Sequence, residues 1–231
     1  MLNFLSKVAT LFWNLVKTIF CCFNLPAFIY DIGFTKPISR YTYYRLMDQV
    51  KPMFNKPRKW LDVGVGTGVA LHSVINQIPN SVQITGIDIN ESYYKNAKKL
   101  FGKYSNVEIR LQNFYELETS KEKYDIIVLG SSFMLMPDYT KALNIIKHLL
   151  APGGKIFFLM TLYDKKKPFT EKMKPYLKNF TTIDFGKATY ENEFVELIKS
   201  NGLNIRLMDR IKYHFLFKLF RVFIVECDIA K

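Results

Sequence analysis

"KWLDVGVGTGVAL", residues 59–71, sets three of the chain's 11 glycines, Gly64, Gly66 and Gly68, between two apolar runs. A glycine has no Cβ, so it enters the φ > 0 region freely and lets another group lie against the backbone. "WLDVGV" is apolar and rich in β-branched residues, as a strand should be, and "TGVALHSVINQI" behind it runs at helical spacing. The stretch is therefore a strand, a glycine turn and a helix. Its pattern is G-x-G-x-G, because the position three after Gly66 is Val69. That weakens a dinucleotide fingerprint, and a phosphate P-loop is excluded because no G-K-[ST] follows.

Outward from the turn, strands and helices alternate. "VQITGIDI" reads as a second strand, "ESYYKNAKKLFGKY" as a helix, and "VEIRLQ" and "YDIIVLGSS" as strands. "YTKALNIIKHLL" is a helix, "GGKIFFLMTL" a fifth strand, and "TYENEFVELIKSNG" a helix starting at Thr189 and stopping at Gly202. "LNIRLMDRI" and "FRVFIVECD" follow with no helix between them, so they should pair antiparallel. The alternation predicts an open, doubly wound α/β sheet covered on both faces, with ligands beyond the carboxyl ends of its strands. Asp88 closes the second strand about 20 residues past the glycines, where an acid accepts hydrogen bonds from both hydroxyls of a ribose. Asp62 lies in the first strand, just before the turn. No Lys or Arg adjoins the glycines, so an adenosine with a non-phosphate tail fits them.

In order and spacing, "LDVGVGTG", "GIDIN", "YDIIVLGSSFMLMPD" and "LLAPGGKIFFLM" resemble the motifs of class I S-adenosylmethionine-dependent methyltransferases. The likeness spans about Tyr30 to Cys227. It implies an enzyme with a Rossmann-like, seven-stranded sheet, mostly parallel with an antiparallel last strand, and S-adenosyl-L-methionine as cofactor. On this resemblance Gly64, Gly66 and Gly68 cradle the methionine part, with Asp62 beside them. Asp88 holds the ribose and Ile89 lies against the adenine. Asn113 and Phe114 stand where the family commonly has an acid beside the adenine amine, and Ser131 adjoins the methionine end. The structural alternatives are a tight turn for Gly66 and Gly68, a helix cap for Asp88 and plain core for Phe114.

The chain has 231 residues and a net charge of +13, from 33 Lys and Arg against 20 Asp and Glu. Such a balance favours nucleic acid, an anionic membrane surface or an acidic substrate. "MLNFLSKVATLFWNLVKTIFCCFNLPAFIY" decides among them. Asn3, Lys7, Thr10, Asn14, Lys17 and Cys21 recur in steps of four and three, one polar stripe on an otherwise apolar helix, and no acid precedes Asp31. A helix lying in a membrane interface fits this best. A core-packed helix is one alternative; a spanning or signal segment is the other, weakened by Lys17 near its middle. Cys21 and Cys22 are candidates for lipidation or inert thiols. "YDKKKPFTEKMKPYLKNF" and "KYHFLFKLFR" add basic and aromatic residues of the kind that favour anionic interfaces. Single-stranded nucleic acid would also take such surfaces, but it gives no reason for the apolar face, so nucleic acid is disfavoured.

Three parts are expected: residues 1–29 an amphipathic membrane-associating helix, 30–58 a helical lid, and 59–231 the catalytic domain. The segment "FIYDIGFTKPISRYTYYRLMDQVKP" is similar to the lid before the glycine motif in methyltransferases of phospholipid headgroups and quinones. Tyr30, Tyr41, Tyr43 and Tyr44 are its candidates for an acceptor pocket attracting an ammonium, packing of the N-terminal helix being the alternative. "SSFMLMPD" carries no His, and Asp138 there should cap the next helix. No [DNS]-P-P-[YFW] or Pro-Cys motif is present, no paired-acid metal site is expected, and His72, His148 and His214 are scattered. Catalysis should then rest on alignment, with no catalytic residue assigned. The sequence points to methyl transfer to a membrane-resident or lipid-linked acceptor, an aminophospholipid headgroup or quinone precursor. A soluble small-molecule methyltransferase and a non-catalytic accessory subunit are the alternatives.

Overall fold

In the computed structural model, residues 38–164, 189–211 and 222–230 are described. The strands among them are β1 (Arg58–Val63), β2 (Val82–Asp88), β3 (Val107–Leu111), β4 (Tyr124–Gly130), β5 (Leu150–Thr161), β6 (Leu203–Arg210) and β7 (Val222–Ile229). They form one seven-stranded sheet in the order β3-β2-β1-β4-β5-β7-β6. Neighbours from β3 through to β5 are parallel, whereas β7 is antiparallel to both β5 and β6. The closing pair thus supplies the expected antiparallel strand, slotted between β5 and β6.

Successive residues of a strand face opposite sides of a sheet, and here both sides are dry. Leu61, Ile127 and Phe158 enter one core, while Trp60, Ile126 and Phe157 enter the other. This is why the central strands read as unbroken apolar runs. The first core is closed by α4 (Tyr139–Leu149) and α5 (Glu191–Ser200), through residues such as Leu143, Ile146, Phe194 and Ile198. The second is closed by α1 (Arg40–Val50), α2 (Val69–His72) and α3 (Glu91–Phe101), through Leu46, Met47, Leu71 and Phe101. Each fully buried side chain of this size contributes about 1.5–3 kcal/mol.

Helix ends follow their caps. Asn90 accepts from the Tyr93 N–H at the start of α3, and Asp138 from the Lys141 N–H at the start of α4, the role expected of it. Gly202 takes φ +74° just beyond α5 and ends it. One expectation is corrected. The helix predicted to run through "TGVALHSVINQI" is α2 alone, followed by a separate 3₁₀ turn at Ile75–Gln77. Ser73 donates its hydroxyl to the Ala70 carbonyl (2.6 Å) and competes with the ladder there.

The amphipathic N-terminal helix, Cys21, Cys22, Tyr30, His214, nearly all of the lysine-rich stretch and the basic-aromatic "KYHFLFKLFR" lie outside the described residues. Among the described residues no helix is long and apolar enough to cross a membrane. They carry 19 Lys and Arg against 17 Asp and Glu, so most of the +13 belongs to the remainder of the sequence.

Candidate active site

The chain steps from β1 to β2 and β3 on one side, and from β4 to β5 on the other. The switch point therefore falls at the carboxyl ends of β1 and β4, where ligands bind in open α/β sheets. A solvent-open cleft of about 630 Å³ lies there. The turn after β1 supplies Gly64 to Thr67, and α2 adds Val69 and Ala70. Gly130 and Ser131 come from the end of β4, Leu159 and Thr161 from β5, Val222 from β7, and Ile38, Ser39, Thr42 and Tyr43 from the start of α1.

The three glycines differ in what they do. All have positive φ: +72° at Gly64, +60° at Gly66 and +80° at Gly68. A Cβ on Gly64 would stand 2.5 Å from the Ser132 Cβ, and one on Gly68 2.7 Å from the Phe101 ring. Those two permit close packing of protein on protein. A Cβ on Gly66 would meet nothing within 4 Å, and it would project into open space. Gly66 is the position that leaves room for a ligand, and the expected cradle is narrowed to Gly64 and Gly66, since Gly68 packs on α3. The turn is held against β2, with the Gly64 and Val65 N–H groups donating to the Ile87 carbonyl at 2.9 and 3.0 Å.

Asp88 completes this half. Its carboxylate accepts from the Gly66 N–H (2.8 Å) and from the Asn90 N–H (2.8 Å). Burial raises its pKa, opposed by the backbone N–H groups of Asn90, Gly66 and Ile89. A carboxylate has about four lone-pair sites, so acceptor capacity remains for a hydroxyl donor. Asp88 does not cap α3, because Asn90 does. Ile89, next in sequence, is 72 % exposed, an unusual setting for a large apolar residue at a strand end. A nucleoside fits the pair, ribose hydroxyls on Asp88 and a flat ring over Ile89.

Other expected residues sit differently. Asn113 accepts from the Tyr115 N–H (3.0 Å) and caps a 3₁₀ turn, so its oxygen is already engaged when offered to an amine. Phe114 is buried among the core residues and packs edge-on to Tyr115. Ser131 lines the cleft in a left-handed conformation, φ +64°, with its N–H on the Leu159 carbonyl (2.8 Å). Tyr44 is 55 % exposed and stacks with Tyr41 at 6.5 Å, and neither lines the cleft. His72 meets the Tyr104 hydroxyl (3.2 Å) and His148 the Ser120 carbonyl (2.7 Å), away from the cleft.

Asp62 is wholly buried in β1, and Tyr43 on α1 donates to both of its oxygens, at 2.9 and 3.0 Å. Burial pushes its pKa up to about 7, against the pull of the Tyr43 hydroxyl and with the Asp88 charge adding to the rise. It does not face the cleft; Tyr43 stands there instead. Of the tyrosines expected to shape an aromatic pocket, Tyr43 is the one among the described residues that lines the cleft. Its signal was available, since Tyr43, Leu46, Met47 and Val50 fall at i, i+3, i+4 and i+7, the buried stripe of α1.

A glycine turn, an acid after β2 and a neutral pocket beside them make an α/β site of a shape that suits an adenosine-bearing cofactor. The family is shown by comparison. Residues 55–202 match the methyltransferase domain family, and the chain belongs to it. S-adenosylmethionine is the cofactor that family and fold imply. Demethylmenaquinone methyltransferase of Staphylococcus aureus is 27 % identical over 161 residues, 69 % of this chain and 66 % of the relative. Malonyl-[acyl-carrier protein] O-methyltransferase 2 of Ilyobacter polytropus is 26 % identical over 140 residues, 58 % of this chain and 53 % of the relative. The chain thus spans less than two thirds of the length of these relatives. An S-adenosylmethionine-dependent methyltransferase from Clostridium acetobutylicum shares the fold, with TM-score 0.64 at 13 % identity over 91 % of this chain and all of that one.

Proposed function

We propose that this chain transfers a methyl group from S-adenosylmethionine to a lipid-soluble or lipid-linked acceptor, an aminophospholipid headgroup or a quinone precursor, at an anionic membrane surface. The observation that carries the reading is the chemistry of the cleft wall. Among the described residues its polar side chains are hydroxyls, those of Ser39, Thr42, Tyr43, Thr67, Ser131 and Thr161, set among Ile38, Val65, Leu159 and Val222. Among the described residues no carboxylate, ammonium, imidazole or thiol belongs to this wall, Asp88 standing apart beyond Gly66 on the cofactor side. Such a wall suits an acceptor that is largely apolar and brings its own electron-rich atom, a ring carbon activated by its own hydroxyl or a neutral amine.

When bound, S-adenosylmethionine supplies an electrophilic methyl on a cationic sulfur, already a good leaving group. Asp88, Gly66 and Ile89 would hold its adenosine, and Gly64 and Ser131 flank the side where its tail would lie. The chain's own contribution is alignment and exclusion of water; well-oriented reactants gain on the order of 7–11 kcal/mol without any acid or base. Similarity to a demethylmenaquinone methyltransferase supports a quinone-type acceptor. The charge pattern supports the membrane: the basic segments join the described chain at Ile38, Asp164, Thr189, Ile211 and Val222, and two of these, Ile38 and Val222, line the cleft.

The test is incubation of the full chain with methyl-labelled cofactor and either extracted membrane lipids or an aqueous metabolite extract. Label entering the organic phase only with active protein is expected. Label confined to water-soluble products would sink the lipid acceptor and leave a soluble-substrate enzyme. Cofactor binding with no transfer to either extract would favour an accessory subunit.

A further inference from the structure

We infer that Tyr43 is a positioning residue of the cleft, acting through Asp62: its hydroxyl fixes the start of α1 over the glycine turn, so that helix and cofactor seat hold one geometry. The inference rests on the cofactor reading above.

Asp62 sits mid-sheet, in register with Gly86 on β2 and Val128 on β4, and is 0 % exposed. Among the described residues no Lys or Arg pairs with it, although an uncompensated buried carboxylate is costly. One hydroxyl is shared by both of its oxygens, and the neighbouring Trp60 indole also favours its charged form. That hydroxyl comes from another element, 19 positions earlier in the chain. Two residues after Asp62 the backbone turns at Gly64, so the anchored point and the ligand seat lie on one short rigid stretch.

The sheet is cut to let the tyrosine through. A Cβ on Gly130, at the end of β4, would stand 2.7 Å from the Tyr43 hydroxyl and 3.4 Å from its ring. Only glycine lets the ring pass over the end of β4. Beyond Gly130 the chain turns at once into the strained Ser131. Tyr43 thus touches the ends of both strands that flank the switch point, and Ile38, Ser39 and Thr42 beside it form one wall of the cleft. The rest of α1 is held by Leu46, Met47 and Val50 and by the Arg45–Asp209 ion pair (3.4 Å), none of which lines the cleft. A phenylalanine would fill the same space. What the hydroxyl adds is a fixed height and angle for the wall.

The experiment uses the full-length protein and S-adenosylmethionine as probe, with affinity by calorimetry and amide exchange of residues 40–50. Tyr43→Phe should weaken binding at least tenfold at a temperature where circular dichroism shows it folded. In the wild type the cofactor should slow exchange across α1, and in Tyr43→Phe it should not. Asp62→Leu should match that loss, and the double variant should be no worse than the worse single, since the two act as one unit. Asp62→Asn keeps an acceptor for the hydroxyl and should bind within threefold of wild type, a contrast that stands even if Tyr43→Phe fails to fold. A folded Tyr43→Phe with unchanged affinity and unchanged α1 protection would overturn the inference, as would additive losses in the double variant. Failure of the wild type to bind at all would overturn the cofactor reading and this one together.

Discussion

The two halves of the cleft are built from different chemistry. On the β1–β2 side the contacts are backbone N–H groups, one carboxylate and an exposed isoleucine, each at a set distance. On the β4–β5 side they are hydroxyls and aliphatic surface, with no charged side chain among the described residues. A site that hydrogen-bonds particular donors rejects molecules lacking them strongly, whereas an apolar wall discriminates by only about 1–3 kcal/mol per methylene. The first half can therefore demand one cofactor. A wall of the second kind selects by shape more than by particular donors, and the relatives' names carry differing acceptors on a related domain.

The sharpest way to break this contrast is at Gly64, where the β1 side depends on protein-to-protein packing. Gly64→Ala forces a left-handed alanine and a 2.5 Å contact with Ser132. We expect a loss of roughly 2–5 kcal/mol, combining the left-handed penalty with overpacking, read by chemical denaturation. A loss below 1 kcal/mol would mean that the turn relaxes and is not the rigid half.

Next in size is a pH effect beneath the cleft. Burial raises the folded-state pKa of Asp62 from the usual carboxylate value of 3.8 to about 7. Between these values the folded protein holds the proton that the unfolded chain has released. Stability from this group is thus complete below about pH 4 and falls as pH rises towards 7, by on the order of 2–4 kcal/mol. Asp62→Asn should flatten that slope in urea melts taken from pH 4.5 to 8. Parallel curves for the two proteins would remove Asp62 as its source.

Asp88→Ala should cost cofactor affinity at least tenfold, since hydrogen bonds to a charged acceptor contribute about 1.5–3 kcal/mol each. Calorimetry with S-adenosylmethionine reads it, and undiminished binding would erase the polar character assigned to the β1–β2 half. The smallest effect is expected on the other wall. Ser131→Gly relieves a non-glycine residue at φ +64° and should raise stability by less than about 1 kcal/mol. A drop of more than that would show that the Ser131 hydroxyl, 3.3 Å from the Leu159 carbonyl, holds the wall in place.

What could be read in advance follows the same division. The glycine turn and Asp88 depend on neighbours in sequence, a strand end and the next strand, so local pattern places them. The sheet was equally legible, because strands covered on both faces leave continuous apolar runs. Tyr43, Gly130 and Thr161 share a wall only because α1, β4 and β5 converge in space, and no spacing in the chain records that. Tyr41, Tyr43 and Tyr44 share their aromatic type, and it is helical phase that singles out Tyr43. Gly68 and Phe114 fit the motif positions, yet their environments turn them towards α3 and the core.

The reversed direction of β7 has a consequence for how such a protein can change. Because β7 runs against its neighbours, β6 ends and β7 begins at the same edge of the sheet, the one that carries the cleft. The chain leaves at Ile211 and returns at Val222, itself part of the wall. A wholly parallel sheet would have sent that connection round to the opposite edge. Lengthening a connection costs only about 0.6 kcal/mol per doubling. Insertions there can accordingly reshape what the cleft accepts while Gly66 and Asp88, on the far side of β4, keep their partners. The fold separates inheritance of the cofactor from innovation in the acceptor.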